Sequence, residues 1–197
     1  GTKYYIIDEK FAKNRKKIKE VEEKKQYRIT ITMGGSEPNC FTLKILKPIL
    51  KIPNITINVV WGPFFKQSQE IEQIVKENKN VNLIRNSLNL LPFFKKSDIV
   101  ISNGGNTIFE LVTMGIPTIS IAMHKHQIPY LKHFAKKGLI KNAGYWKEIK
   151  PSGVKKELNY LLRNIKTRKR MNSNSIKKFD GKGTDRTVKK IIECLKN

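Results

Sequence analysis

The chain is poor in cysteine, in acidic residues and in long apolar runs, and each scarcity excludes something. Its two cysteines, Cys40 and Cys194, stand far apart and form no CxxC pair. A disulfide scaffold and a cysteine-built zinc site are therefore excluded, and reduced thiols in a cytoplasmic setting are expected. No apolar stretch approaches the ~18 residues of a membrane-spanning helix. No signal-peptide pattern is present. The glycine pattern GxGxxG of dinucleotide sites is absent, as is the GxxxxGK[ST] of a P-loop, so no cofactor is expected. No HExxH, no paired carboxylates and no Ser-His-Asp arrangement is legible, and no metal is expected. The chain opens on Gly1 rather than Met, which reads as a piece of a longer protein.

Acids are the scarcest class relative to their opposite. Sixteen Asp and Glu face forty Lys and Arg, for a net charge of +24. That excess raises a nucleic-acid or anionic-surface reading. Only seven of the forty are Arg, however, and the lysines are spread over nearly the whole chain. Phosphate and base recognition favours Arg forks in clusters. The densest cluster, "RNIKTRKR" (163–170), is expected to be a solvated helix face. Nucleic acid is therefore not the expected partner, whereas peripheral contact with a membrane surface stays open.

What is present is alternation. From Tyr27 onward short β-branched runs alternate with amphipathic stretches. Strands are predicted over 27–33, 54–62, 81–85, 98–102 and 117–122, with a short one in 138–144. Helices are predicted over 40–50, 68–79, 89–97, 106–114, 127–137, and then 152–165, 168–179 and 183–195. Such alternation predicts a doubly wound, Rossmann-like α/β domain over 27–197, its parallel sheet covered on both faces and its C-terminal helices packed back on it. Residues 1–26 are expected to be a charged lead-in helix.

Ligands of such sheets lie at the carboxyl ends of the strands. Two turns there are glycine-rich: "MGGSEP" (33–38), with Gly34, Gly35 and Ser36, and "SNGGNT" (102–107), with Gly104, Gly105, Asn106 and Thr107. Either alone reads as a tight turn. Two at one sheet edge suit a diphosphate, because glycine lets a ligand approach backbone N–H groups at a helix start. Glu110 follows one turn into an otherwise apolar helix. Its carboxylate needs a partner, either a ribose diol or a nearby Lys. Gln127, beyond His124 and His126, falls at the same rim and could reach sugar hydroxyls. The HxH pair lacks a third metal ligand.

The stretches "ITMGGSEPNCFTLKIL" and "SDIVISNGGNTIFELVTMGIPTISI", with the later "HQ", resemble the nucleotide-binding C-terminal half of two-domain GT-B proteins. The nearest resemblance is to the UDP-sugar hydrolases of pseudaminic acid biosynthesis and the spore-coat-polysaccharide group. Beyond these lie the UDP-GlcNAc transferases of peptidoglycan synthesis. "GTKYYIIDEKFAKNR" resembles the interdomain lead-in of the hydrolases and "FDGKGTDRTVKKII" their tail. The resemblance implies that Gly104 to Thr107 hold the diphosphate of a UDP-sugar with Gly34 to Ser36 facing it. It further implies that Glu110 binds the ribose, backbone near Ile84 the uracil and Gln127 the sugar. His126 stands where the hydrolases often have Asn. The acceptor site and the catalytic base would come from an N-terminal domain outside this chain, so this half would bind but not turn over. A hydrolase or glycosyltransferase of cell-surface polysaccharide synthesis is the implied whole.

Overall fold

The computed structural model describes residues 2–35, 40–65, 68–87 and 89–196. Six strands form one sheet: β1 (Tyr27–Thr32), β2 (Ile55–Trp61), β3 (Val81–Arg85), β4 (Ile99–Asn103), β5 (Thr118–Ala122) and β6 (Lys141–Tyr145). Their order is β3-β2-β1-β4-β5-β6 and every pairing is parallel. Nine α-helices are present among the described residues: α1 (Glu9–Lys13), α2 (Phe41–Ile49), α3 (Gln69–Glu77), α4 (Leu91–Lys96), α5 (Thr107–Met114), α6 (Ile128–Lys136), α7 (Pro151–Arg163), α8 (Ile165–Lys178) and α9 (Gly183–Leu195). The predicted doubly wound α/β architecture is therefore observed.

The local causes are legible in the elements. Three of the five residues in each of β4 and β5 are β-branched, and every residue of β5 is buried, as a central parallel strand requires. Ser68 caps α3 through its hydroxyl. Pro92 sits in the first turn of α4, where its missing N–H costs nothing. Gly115 closes α5 in a left-handed conformation, φ 72°, that a side chain would strain. The main core lies between the sheet and α2, α3 and α7, with Ile29, Ile31, Ile57, Ile101, Ile119 and Leu158 fully buried.

Two expectations are corrected. The lead-in is not one helix over 1–26: it holds only α1 and two 3₁₀ turns, Thr2–Tyr4 and Ile18–Glu20. Lys13, Arg15, Lys16 and Lys17 crowd like charges where a helix would continue, and no apolar stripe repays it. The segment instead spends its backbone on the domain. The Lys16 N–H donates to Met114 O (2.7 Å), and Lys16 O accepts from Asn172 Nδ2 (2.9 Å). The sheet is also not covered on both faces everywhere. Beside β2 and β3 an open hollow of about 590 Å³ is lined by Thr56, Asn58 and Asn82. These polar side chains bond among themselves and to Gln26, so that face needs no helix over it.

Candidate functional site

From β1 the chain winds outward to β2 and β3. It then returns to place β4 against the other side of β1, with β5 and β6 beyond. The strand order reverses between β1 and β4, which is where an open α/β sheet forms its ligand crevice. The register pairs Thr32 with Ser102, so the two glycine turns emerge side by side. Gly34 and Gly35 follow β1; Gly104 and Gly105 follow β4.

Asn103 ties the two turns together. Its Nδ2 donates to Met33 O (2.8 Å), and its Oδ1 accepts the Gly105 N–H (3.2 Å). The sequence carried a signal for it, a polar residue ending an apolar strand just before Gly-Gly, yet Asn103 was not among the candidates. Gly34 has φ 91°, and a Cβ there would lie 2.8 Å from Asn103 Nδ2. Only glycine fits. Gly104 is demanded by packing, because its Cβ would lie 2.7 Å from Leu131 Cδ1. A Cβ on Gly105 would meet nothing closer than Asn103 Oδ1 at 3.3 Å. That contact is a close one, so a side chain at Gly105 presses on the Asn103 brace.

Helix α5 begins here without a side-chain cap, Asn106 making no capping bond. Its early donors are partly spent: Gly104 N–H on Ile121 O, Ile108 N–H on Gly105 O and Phe109 N–H on Asn106 O. The Asn106 and Thr107 N–H groups have no partner among the described residues. Two donors unpaired among the described residues, at the positive end of a helix between two glycine turns, have the geometry that suits an anion.

Glu110 lies one turn further in and is half-buried. Its carboxylate has no hydrogen bond or ion pair among the described residues, so the lysine partner considered from sequence is not formed. Burial, above all, raises its pKa; Lys10 opposes the shift and Asp8 adds to it. The lead-in supplies these neighbours, with Tyr5 stacked on Phe109 at 3.7 Å between ring centroids. Gln127 is buried, and its Oε1 accepts the N–H groups of Met123 (2.8 Å) and His124 (3.3 Å). It buttresses the back of the Gly104 turn, leaving only its Nε2 for any sugar contact. Ile84 sits on edge strand β3, three strand spacings or ~14 Å from β4. Ser36 lies outside the described residues.

His124 and His126 are exposed and stacked, and no group of three potential metal ligands occurs among the described residues. Phe64 was not foreseen. It is 79 % exposed, its N–H donates to Gly35 O (3.0 Å), and its ring flanks the same rim. The exposed "GPF" after β2 was its only trace in the sequence.

A doubly wound sheet with an uncapped helix and paired glycine turns at its switch point defines an α/β domain whose ligand crevice lies at that edge. The chain belongs to the glycosyltransferase family 28 C-terminal domain family, whose model matches residues 11–187. It is 22 % identical over 170 residues to the spore coat polysaccharide biosynthesis protein SpsG of Bacillus subtilis, covering 85 % of this chain and 50 % of that one. It is 26 % identical over 141 residues to a Helicobacter pylori protein, the pseudaminic acid cytidylyltransferase and UDP-2,4-diacetamido-2,4,6-trideoxy-beta-L-altropyranose hydrolase. That match covers 72 % of this chain and 25 % of the other. Among solved structures, MurG of Acinetobacter baumannii superposes with a TM-score of 0.69 at 18 % identity, over 93 % of this chain and 55 % of that one. The chain therefore spans half or less of these two curated relatives.

Proposed function

We propose that this chain is the UDP-sugar-binding half of a nucleotide-sugar hydrolase or glycosyltransferase of cell-surface polysaccharide synthesis. The observation that carries the reading is the uncapped start of α5, with the N–H groups of Asn106 and Thr107 unpaired among the described residues, beside the Gly34–Gly35 turn. A diphosphate satisfies those donors. Glu110, desolvated and without a partner among the described residues, then accepts the ribose hydroxyls, and the end of β3 near Ile84 receives the base. The names of the relatives support the setting: one acts in spore coat polysaccharide biosynthesis and one carries a UDP-sugar hydrolase.

Chemistry at the anomeric carbon needs a base to activate water or an acceptor hydroxyl. In this reading a second domain supplies it, and this half binds without turnover. Titration calorimetry with UDP and with uridine tests the reading. UDP should bind at least roughly tenfold more tightly, since each charge-assisted bond to phosphate is worth ~1.5–3 kcal/mol. Equal affinity for uridine would remove the diphosphate from the Gly104–Thr107 turn.

A further inference from the structure

The side chain of Asn103 reaches one main-chain group of each glycine turn. The Met33 carbonyl accepts from its Nδ2 at 2.8 Å, and the Gly105 N–H donates to its Oδ1 at 3.2 Å. The β1–β4 register ends on the pair Thr32–Ser102, so beyond it a planar side-chain amide bridges the two chains. Both turns are seated against that amide, since a Cβ at Gly34 would lie 2.8 Å from its Nδ2 and one at Gly105 3.3 Å from its Oδ1. Each turn also has an anchor of its own. The first is held by the loop after β2, where a Cβ on Gly62 would collide with Gly34 O and the Phe64 N–H donates to Gly35 O (3.0 Å). The second is held by β5, through the Gly104 N–H on Ile121 O (2.9 Å). Of these contacts, those of Asn103 are the ones that fix one turn relative to the other.

The two partners dictate the chemistry of the residue between them. A carbonyl only accepts and an N–H only donates, so the bridging group must carry a donor at one end and an acceptor at the other. An Asp there would keep the Gly105 bond, turn an oxygen on Met33 O and bring a negative charge to the rim. An Ala would offer neither bond. A binding site depends on such support, because its groups must be held to within roughly 0.5 Å of the productive geometry. We propose that Asn103 is a positioning residue for the nucleotide: its neutral amide sets the gap between the Gly34–Gly35 turn and the start of α5, and with it the fit of the diphosphate. Neither of its bonds reaches Glu110 or Ile84, to which the ribose and the base are assigned. The inference rests on the UDP-sugar reading of this crevice.

The test is calorimetric titration of the parent chain, Asn103→Ala and Asn103→Asp, each with UDP and with uridine. Asn103→Ala should bind UDP at least roughly tenfold more weakly, because both bonds that space the turns are gone. Asn103→Asp should lose more, roughly a hundredfold, since its charge also opposes the diphosphate. Uridine affinity should stay within about a factor of two in both, as expected of groups that share no partner. The readout is the ratio of the two affinities, which a merely structural role would not move. Asp has the shape of Asn and keeps the Gly105 bond, so it should fold, as circular dichroism at the titration temperature would show. If the parent prefers UDP and both variants keep that preference, the assignment of Asn103 is overturned and the reading of the crevice stands. Equal losses for UDP and uridine, or two variants that do not fold, would make the amide a structural brace only. A parent without preference for UDP would remove the reading and the inference together.

Discussion

Under the proposed function, Glu110 is the residue whose two roles pull in opposite directions. Burial raises its pKa, so the folded state disfavours the charged form. A carboxylate raised in this sense weakens the fold where it is ionised. The penalty is absent below the unfolded pKa and is fully present once pH has risen past the folded one. At neutral pH, Glu110→Gln should therefore raise the melting temperature, a direction checked by scanning calorimetry. The same change should weaken UDP binding by about 1–3 kcal/mol, because an amide cannot accept both ribose hydroxyls with a full charge. UDP affinity of the parent should also fall as pH drops through the raised pKa. A strained carboxylate that costs stability and supplies affinity is the mark of a functional residue. Loss of both stability and affinity would make Glu110 a structural acid.

At the scale of elements, the strands and most helices were readable because period and punctuation agree. β5 is a short apolar run between Pro117 and the polar loop after Ala122, and α5 ends at a glycine. What could not be read was long-range. Arg168 sits inside "RNIKTRKR", expected as a solvated face, and is nonetheless only 1 % exposed. Its guanidinium donates to Leu161 O, Leu162 O (2.8 Å), Glu22 O (3.0 Å) and the Tyr27 hydroxyl (3.1 Å). One side chain thus satisfies the end of α7 and fastens the lead-in to β1, partners that lie up to 146 positions away. No local pattern marks one arginine of a basic run as buried. The crevice followed the same rule. Its glycines were legible as punctuation, while the Asn103 brace and the buttressing by Gln127 required knowledge of which strands are neighbours. Arg168→Met should destabilise the fold by about 2–4 kcal/mol in urea unfolding, since it strands buried carbonyls without partners. The exposed neighbour Lys169, changed to Met, should stay within about 0.5 kcal/mol. Equal effects of the two would return Arg168 to the solvated face.

For the whole molecule the question is whether +24 or shape governs the binding of a nucleotide. Lys166, Lys169, Lys177 and Lys178 are exposed on α8, which meets α5 at its Gly115 end, where Asn172 Nδ2 donates to Gly115 O, and not at its start. At physiological salt the screening length is ~8 Å, so lysines beyond that range add little to a small ligand held by backbone donors. The crevice is different. A Cβ at Gly105 would lie 3.3 Å from Asn103 Oδ1, so a larger side chain there presses on the Asn103 brace and narrows the space the anion needs. Gly105→Val should abolish UDP binding in calorimetry, and the melting temperature read alongside separates a blocked site from a disturbed turn. Replacing the four α8 lysines by Gln should leave UDP affinity within about a factor of two, because each exposed charge contributes at most tenths of a kcal/mol at this distance. A polyanion held by side-chain charge gives the reverse pattern, its affinity falling with each lysine removed and steeply with salt. If the lysine variant loses UDP and the Gly105 variant keeps it, the anion is not held at the start of α5.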